Sequence, residues 1–258
     1  MLRFDDATTA VLERAYQGAD FRNRRQASFD ALAPVAGERL IDIGCGNGLL
    51  TRELALAVGP EGQVIGIDPS AEMLALAEDR IRDLENVQII EGTAETLPLE
   101  DGSLDGALSL QVFEYLEDPS ISLRETHRVL RRGGRLVLGD MHFGTLAWYS
   151  DDPERMERMC KSWDRHVADN ALPAKLPGLL REAGFEIASV EPLTFVDTTL
   201  RPDGIARMMM ILMENYAVSN GHVPADEARA WVEEQEDLAA QGRFFQTLTH
   251  FVVSARKL

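Results

Sequence analysis

Short apolar runs and helix-length apolar stripes take turns along most of the chain. The runs Leu40-Ile41-Asp42-Ile43, Gln63–Asp68, Val87–Glu91, 106–110 and 135–141 have the length and branched content of strands. Between them, Leu49–Val58, 71–84 and 121–131 carry apolar residues at helical spacing, with Pro69-Ser70 opening the second and Gly133-Gly134 capping the third. Strands alternating with helices predict βαβ units, hence an α/β fold on a parallel sheet. Ahead of the first strand, 8–16 and 20–33 read as two short helices split by Gly18 and closed by Pro34 and Gly37. Beyond 141 the spacing loosens. Asp151-Asp152-Pro153 starts a helix to about residue 168, Pro177-Gly178 opens another to 183, and 186–195 reads as a strand. Helices then follow at 205–218 and Ala225–Ala240, and 244–257 closes the chain as the last strand.

The first strand runs into Gly44-Cys45-Gly46-Asn47-Gly48, with three glycines at alternate positions before the helix resumes. A turn this sharp needs backbone angles that a Cβ forbids, and a ligand there approaches bare backbone. The helix that follows aims unpaired N–H groups and its positive dipole end at the same place. What the loop lacks narrows the ligand. A dinucleotide fingerprint would put its third glycine at Leu49, and a phosphate-cradling loop would end in Gly-Lys-Ser or Gly-Lys-Thr. Asp42 stands two residues before the first glycine instead, and an acid there suits a cationic ligand better than a pyrophosphate.

This stretch resembles motif I of the class I S-adenosylmethionine (SAM) methyltransferases. The resemblance runs from about Pro34 to His142 and then thins. It implies that Gly44, Cys45, Gly46 and Gly48 pass under the methionine part of the cofactor, with Asp42 near its ammonium group. Asp68, ending the second strand, corresponds to the acid that holds both ribose hydroxyls, with Pro69 beside it and Met73 against the adenine. Gly92-Thr93-Ala94-Glu95-Thr96-Leu97-Pro98 is similar to the family's adenine-reading segment, though Thr93 replaces its aspartate. A hydroxyl there forms a weaker bond than a carboxylate. Leu110 and Gln111, at the carboxyl end of the fourth strand, border the cofactor, and Glu114 and Tyr115 follow where many relatives carry histidines. The order of helix, double glycine and strand is similar to the ubiquinone/menaquinone-biosynthesis (type 11) branch. The resemblance thus implies a Rossmann-like, doubly wound seven-stranded sheet, mostly parallel with an antiparallel last strand.

Composition trims the alternatives. With 258 residues and 45% hydrophobic content the chain fills one domain with elaborations: 1–36 helical, 37–142 cofactor-binding, and 143–183 and 197–243 as helical insertions forming a cap over the substrate. A net charge of −17 repels polyanions, which argues against nucleic acid and anionic membranes as partners. Two cysteines, Cys45 and Cys160, give neither a disulfide framework nor metal spacing. Residues 1–10 lack the apolar core of a signal peptide and no stretch reaches membrane-spanning length. The expectation is a cytoplasmic protein, monomeric or homodimeric.

Methyl transfer to a carbon, oxygen or nitrogen acceptor asks mainly for alignment and exclusion of water. A base is needed only for a hydroxyl or protonated amine. His142, after the fifth strand, is the first candidate, with Tyr115 beside the same strand ends and His166 second. Tyr16, Arg24, Glu114, Trp148 and Tyr149 complete the expected acceptor contacts, and Met208, Met209, Met210 and Met213 add a soft apolar surface. Methylation of RNA or protein, a non-catalytic SAM-binding module and a nucleotide dehydrogenase are the competing readings.

Overall fold

Successive residues of a strand face opposite ways, and the first strand divides its apolar residues between two cores. In the computed structural model, which describes residues 16–258, β1 (Arg39–Ile43) sends Ile41 and Ile43 to one side. There they join Ile65, Ile67, Leu136 and Leu138, under Leu123 and Val129 and under Leu172, Leu176 and Leu180. Leu40 goes to the other side with Val64, Leu108 and Val137, under Leu32, Leu50, Leu54 and Val58. A parallel sheet buried on both faces needs this double covering.

Helix α1 (Ala19–Leu32) precedes β1. Then come α2 (Leu49–Val58), β2 (Gln63–Asp68), α3 (Ala71–Ile81), β3 (Val87–Glu91), β4 (Leu104–Leu110) and α4 (Pro119–Val129). The second half holds β5 (Leu130–Trp148), α5 (Pro153–Trp163), α6 (Leu172–Glu182), β6 (Phe185–Asp197), α7 (Ile205–Ser219), α8 (Ala225–Ala240) and β7 (Gln246–Lys257). The seven strands lie in the order β3-β2-β1-β4-β5-β7-β6. β1 pairs in parallel with β2 and β4, β2 with β3, and β4 with β5. The order reverses between β1 and β4, and open α/β sheets bind ligands at the carboxyl ends flanking such a reversal. β7 runs antiparallel to β5: the Tyr149 N–H donates to the Phe245 carbonyl, and the Thr249 N–H to Thr145 Oγ1.

Several boundaries differ from expectation. Gly133 and Gly134 do not cap a helix; the strand already starts at Leu130, and its register with β4 shifts across the pair. Pro177 lies inside α6 instead of opening it. The stripe of Leu172, Leu176 and Leu180 is fully buried, and that burial outweighs one missing hydrogen bond. The helix expected to reach 168 stops at Trp163 and tightens into a 3-10 turn, Asp164–His166. The helix expected at 8–16 lies outside the described residues except for Tyr16.

By internal contacts the described chain divides into two compact units. One comprises Arg25–Met141, Ala171–Pro192 and Phe251–Leu258; the other comprises 16–24, His142–Asn170 and Leu193–His250. No helix among the described residues is long and apolar enough to cross a membrane, and none of their acidic, histidine or cysteine side chains cluster as a metal site.

Candidate active site

In the first unit the glycine loop is tied down by backbone. The N–H groups of Gly44 and Cys45 both donate to the Ile67 carbonyl at the end of β2, at 2.8 and 3.0 Å. Gly44 has φ +72°, and a Cβ there would fall 2.2 Å from Val112 Cγ2, so only glycine fits. Gly46 has φ +51°, but nothing lies within 4 Å of where a Cβ would stand, so its backbone faces open space. The loop thus presents a cradle that a side chain would fill.

Asp68 closes this cradle from β2. Its Oδ2 accepts the Gly46 N–H and its Oδ1 the Ser70 N–H, each at 2.9 Å. Each oxygen keeps a further lone pair. The Gly92 N–H donates to the Asp68 carbonyl, which brings the segment beginning with Thr93, Ala94 and Glu95 beside it. Ala94 is buried and Thr93 exposed, while Pro69 and Met73 are exposed at the start of α3. Cys45 points down: its sulfur lies where a side chain at Gly66 would go, and burial pushes its thiol far above the ordinary range.

Asp42 alternates to the α2 side of β1, as Leu40 does, and is buried. Its Oδ2 accepts the Thr51 hydroxyl at 2.7 Å. Burial raises its carboxyl to about 7, with the charge of Asp68 adding to the rise and the Thr51 bond opposing it. Thr51 was not singled out by sequence. Its place in the first turn of the helix after the loop was the available signal.

At the end of β4, Gln111 adopts φ +60°, unusual for a residue with a side chain, and its N–H reaches the Gly139 carbonyl at 2.7 Å. Glu114 is fully buried. Its Oε2 accepts the Met141 N–H at 2.8 Å, its Oε1 the Gln111 amide at 3.2 Å, and its own N–H donates to Asp140 Oδ1 at 3.3 Å. Two buried carboxylates therefore lock the ends of β4 and β5, and Asp140 is the partner that sequence reasoning missed. Leu110 is half-buried and Tyr115 is 46% exposed in the 3-10 turn Phe113–Tyr115.

The second unit holds the remaining candidates. His142 and Phe143 point to opposite faces of β5, and His166 packs edge-on to Phe143 at 5.0 Å while stacking on Trp163 at 3.6 Å. Burial lowers the His166 imidazole to about 4, the hydrogen bond to the Trp163 carbonyl opposing it. Trp148 is buried and gives its indole N–H to Gln235 Oε1 at 2.9 Å. Tyr149 lies at the surface, its hydroxyl shared between Asp151 and Arg243. Arg24 is buried over the Phe21 ring at 4.5 Å, and Tyr16 packs edge-on to the same ring.

Residues 41–138 match a family described as a methyltransferase domain. An uncharacterized 37.1 kDa transposon protein of Streptomyces fradiae is 38% identical over 242 residues, covering 91% of this chain and 67% of that protein. Demethylmenaquinone methyltransferase of Geobacillus kaustophilus is 32% identical over 176 residues, covering 62% of this chain and 75% of the enzyme. The chain spans under half the length of some other curated methyltransferases that it matches. Among solved structures, a SAM-dependent methyltransferase from Aquifex aeolicus superposes with a TM-score of 0.58 at 17% identity, covering 99% of this chain and all of that one, a likeness of fold.

Proposed function

Because the chain belongs to the class I S-adenosylmethionine-dependent methyltransferases, in the type 11 branch, we propose that it methylates a small organic acceptor within one methyltransferase domain. The supporting observation is the Gly44–Gly48 cradle closed by Asp68. Its open face at Gly46 and the buried acid beneath it fit a cationic amino-acid nucleoside.

When bound, SAM would supply a sulfonium-activated methyl carbon, to which an acceptor atom bonds as the carbon–sulfur bond breaks and S-adenosylhomocysteine leaves. Gly44, Cys45, Gly46 and Gly48 lay bare backbone under its methionine part, and Asp42 balances the positive charge. Asp68 takes the ribose hydroxyls on its remaining lone pairs. Met73, Thr93, Ala94 and Glu95, with Pro69, Leu110 and Gln111, surround the nucleoside. Stretches 143–183 and 197–243 choose the acceptor, with His142 holding its proton where the acceptor atom is a hydroxyl or ammonium. The net charge of −17 favours a small molecule over RNA.

Incubating the protein with methyl-labelled SAM and a small-molecule cell extract tests this. The expected result is label on one or a few small molecules; SAM binding with no labelled product would favour a non-catalytic module. His142→Ala that leaves turnover unchanged across pH would remove the histidine from the mechanism.

A further inference from the structure

One face of β7 is buried at Gln246, Leu248, His250 and Val252, and two of those four side chains are polar. The backbone bond from the Tyr149 N–H to the Phe245 carbonyl places Trp148 opposite Gln246. Trp148 in turn holds Gln235, so α8 brings a third buried polar side chain to this face. Among the described residues, both ring nitrogens of His250, both amide atoms of Gln246 and Nε2 of Gln235 have no hydrogen-bond partner, although all three side chains are fully buried. Buried polar atoms are nearly always paired, and three such side chains on one face form a set built to be completed. Gly144 is exposed, and the His142 ring stands 2.8 Å from where a side chain at Gly144 would begin.

We propose that His250, Gln246 and Gln235 form a recognition subsite for a hydroxyl-bearing ring of the acceptor, with Trp148 as its apolar wall. This rests on the methyltransferase reading above. Each amide offers donors and an acceptor, and the imidazole offers one of each while neutral. Burial, helped by the charge of Arg24, holds that imidazole well below its ordinary value and keeps it neutral. The three side chains bring no formal charge of their own.

Equilibrium dialysis of labelled phenol against protein saturated with S-adenosylhomocysteine tests this, with toluene as the hydroxyl-free arm. Phenol should bind at least tenfold more tightly than toluene. Gln246→Leu and His250→Phe should each weaken phenol tenfold or more, leave S-adenosylhomocysteine affinity within twofold, and melt at or above the wild-type temperature, since each removes unpaired buried atoms. Equal phenol binding by wild type and both variants overturns the subsite, as does equal binding of toluene, or no phenol binding by protein that does bind S-adenosylhomocysteine. Variants that lose phenol only by melting ten degrees earlier overturn it too. Failure of wild type to bind S-adenosylhomocysteine strikes the methyltransferase reading instead, and phenol dialysis without it still decides the subsite.

Discussion

The glycine loop and the β5–β7 pair are built in contrasting ways. Around Gly44–Gly48 the decisive groups are backbone: the Ile67 carbonyl takes two N–H groups, and Asp68 takes those of Gly46 and Ser70. Along β5 and β7 the decisive groups are side chains, paired across long stretches of sequence, such as Trp148 with Gln235 and Thr249 with Thr194 of β6. A backbone-built site tolerates few sequences, so it leaves a local pattern. A side-chain-built site can be made many ways and leaves none.

Removing that backbone freedom should have the largest effect. Gly44→Ala forces a Cβ into Val112 at a left-handed φ. Its clash and strain together should cost about 3 kcal/mol or more and abolish SAM binding. Gly46→Ala meets no neighbour, so its loss of stability should stay near ~1 kcal/mol. SAM affinity should nevertheless fall at least tenfold, because the new methyl occupies the cradle. Thermal melts beside calorimetric titration with SAM separate the two. If both variants lose stability equally and Gly46→Ala binds normally, the cradle is not the cofactor seat.

Next in size is the carboxylate pair at the ends of β4 and β5. Glu114→Ala strips the acceptor from the buried Met141 N–H, a loss of about 2–3 kcal/mol. Glu114→Gln keeps one acceptor oxygen and should lose about half as much. Denaturant unfolding measures both. The pair also marks the limit of what could be read from the chain. The order of strands and helices through β5, the loop, and Asp68 were legible because alternation, helical spacing and glycine each have a local physical cause. Glu114 was legible only as an acid near a strand end, since its partner Asp140 lies in another strand and only the parallel pairing of β4 with β5 brings them together. Likewise β5 continues seven residues past its expected end at Met141 because β7 pairs with it, and no local spacing announces a partner a hundred residues away.

Asp42 links the loop to pH. Its carboxyl stands at about 7 in the fold, above the ordinary carboxylate value, so folding takes up a proton between the two. Stability of the free protein should therefore fall as pH rises from about 4 to about 7 and level off above, and Asp42→Asn should remove that decline. Binding of a cation beside Asp42 favours the ionised form, so SAM should bind about five- to tenfold more tightly at pH 8 than at pH 6. Calorimetry in buffers of different ionisation enthalpy should show proton release at pH 6.5, lost in Asp42→Asn. Affinity that does not vary with pH would detach Asp42 from the ammonium group.

The smallest effect asks whether the side-chain-built region is held as tightly as the loop. Trp148→Phe removes an indole N–H from buried Gln235 Oε1, while Gln235→Met removes an amide whose Nε2 has no partner among the described residues. The first change strands an acceptor; the second strands the indole N–H but also removes an unsatisfied amide nitrogen, which offsets part of the loss. Trp148→Phe should thus cost about 2 kcal/mol, combining lost ring area with the stranded oxygen, and Gln235→Met under 1 kcal/mol. The double variant should cost less than the sum by about 1 kcal/mol, the worth of one buried neutral hydrogen bond. Additive losses in denaturant unfolding would mean that the indole and the amide meet without supporting each other. The orientation of Gln235 toward the buried face of β7 would then rest on packing alone.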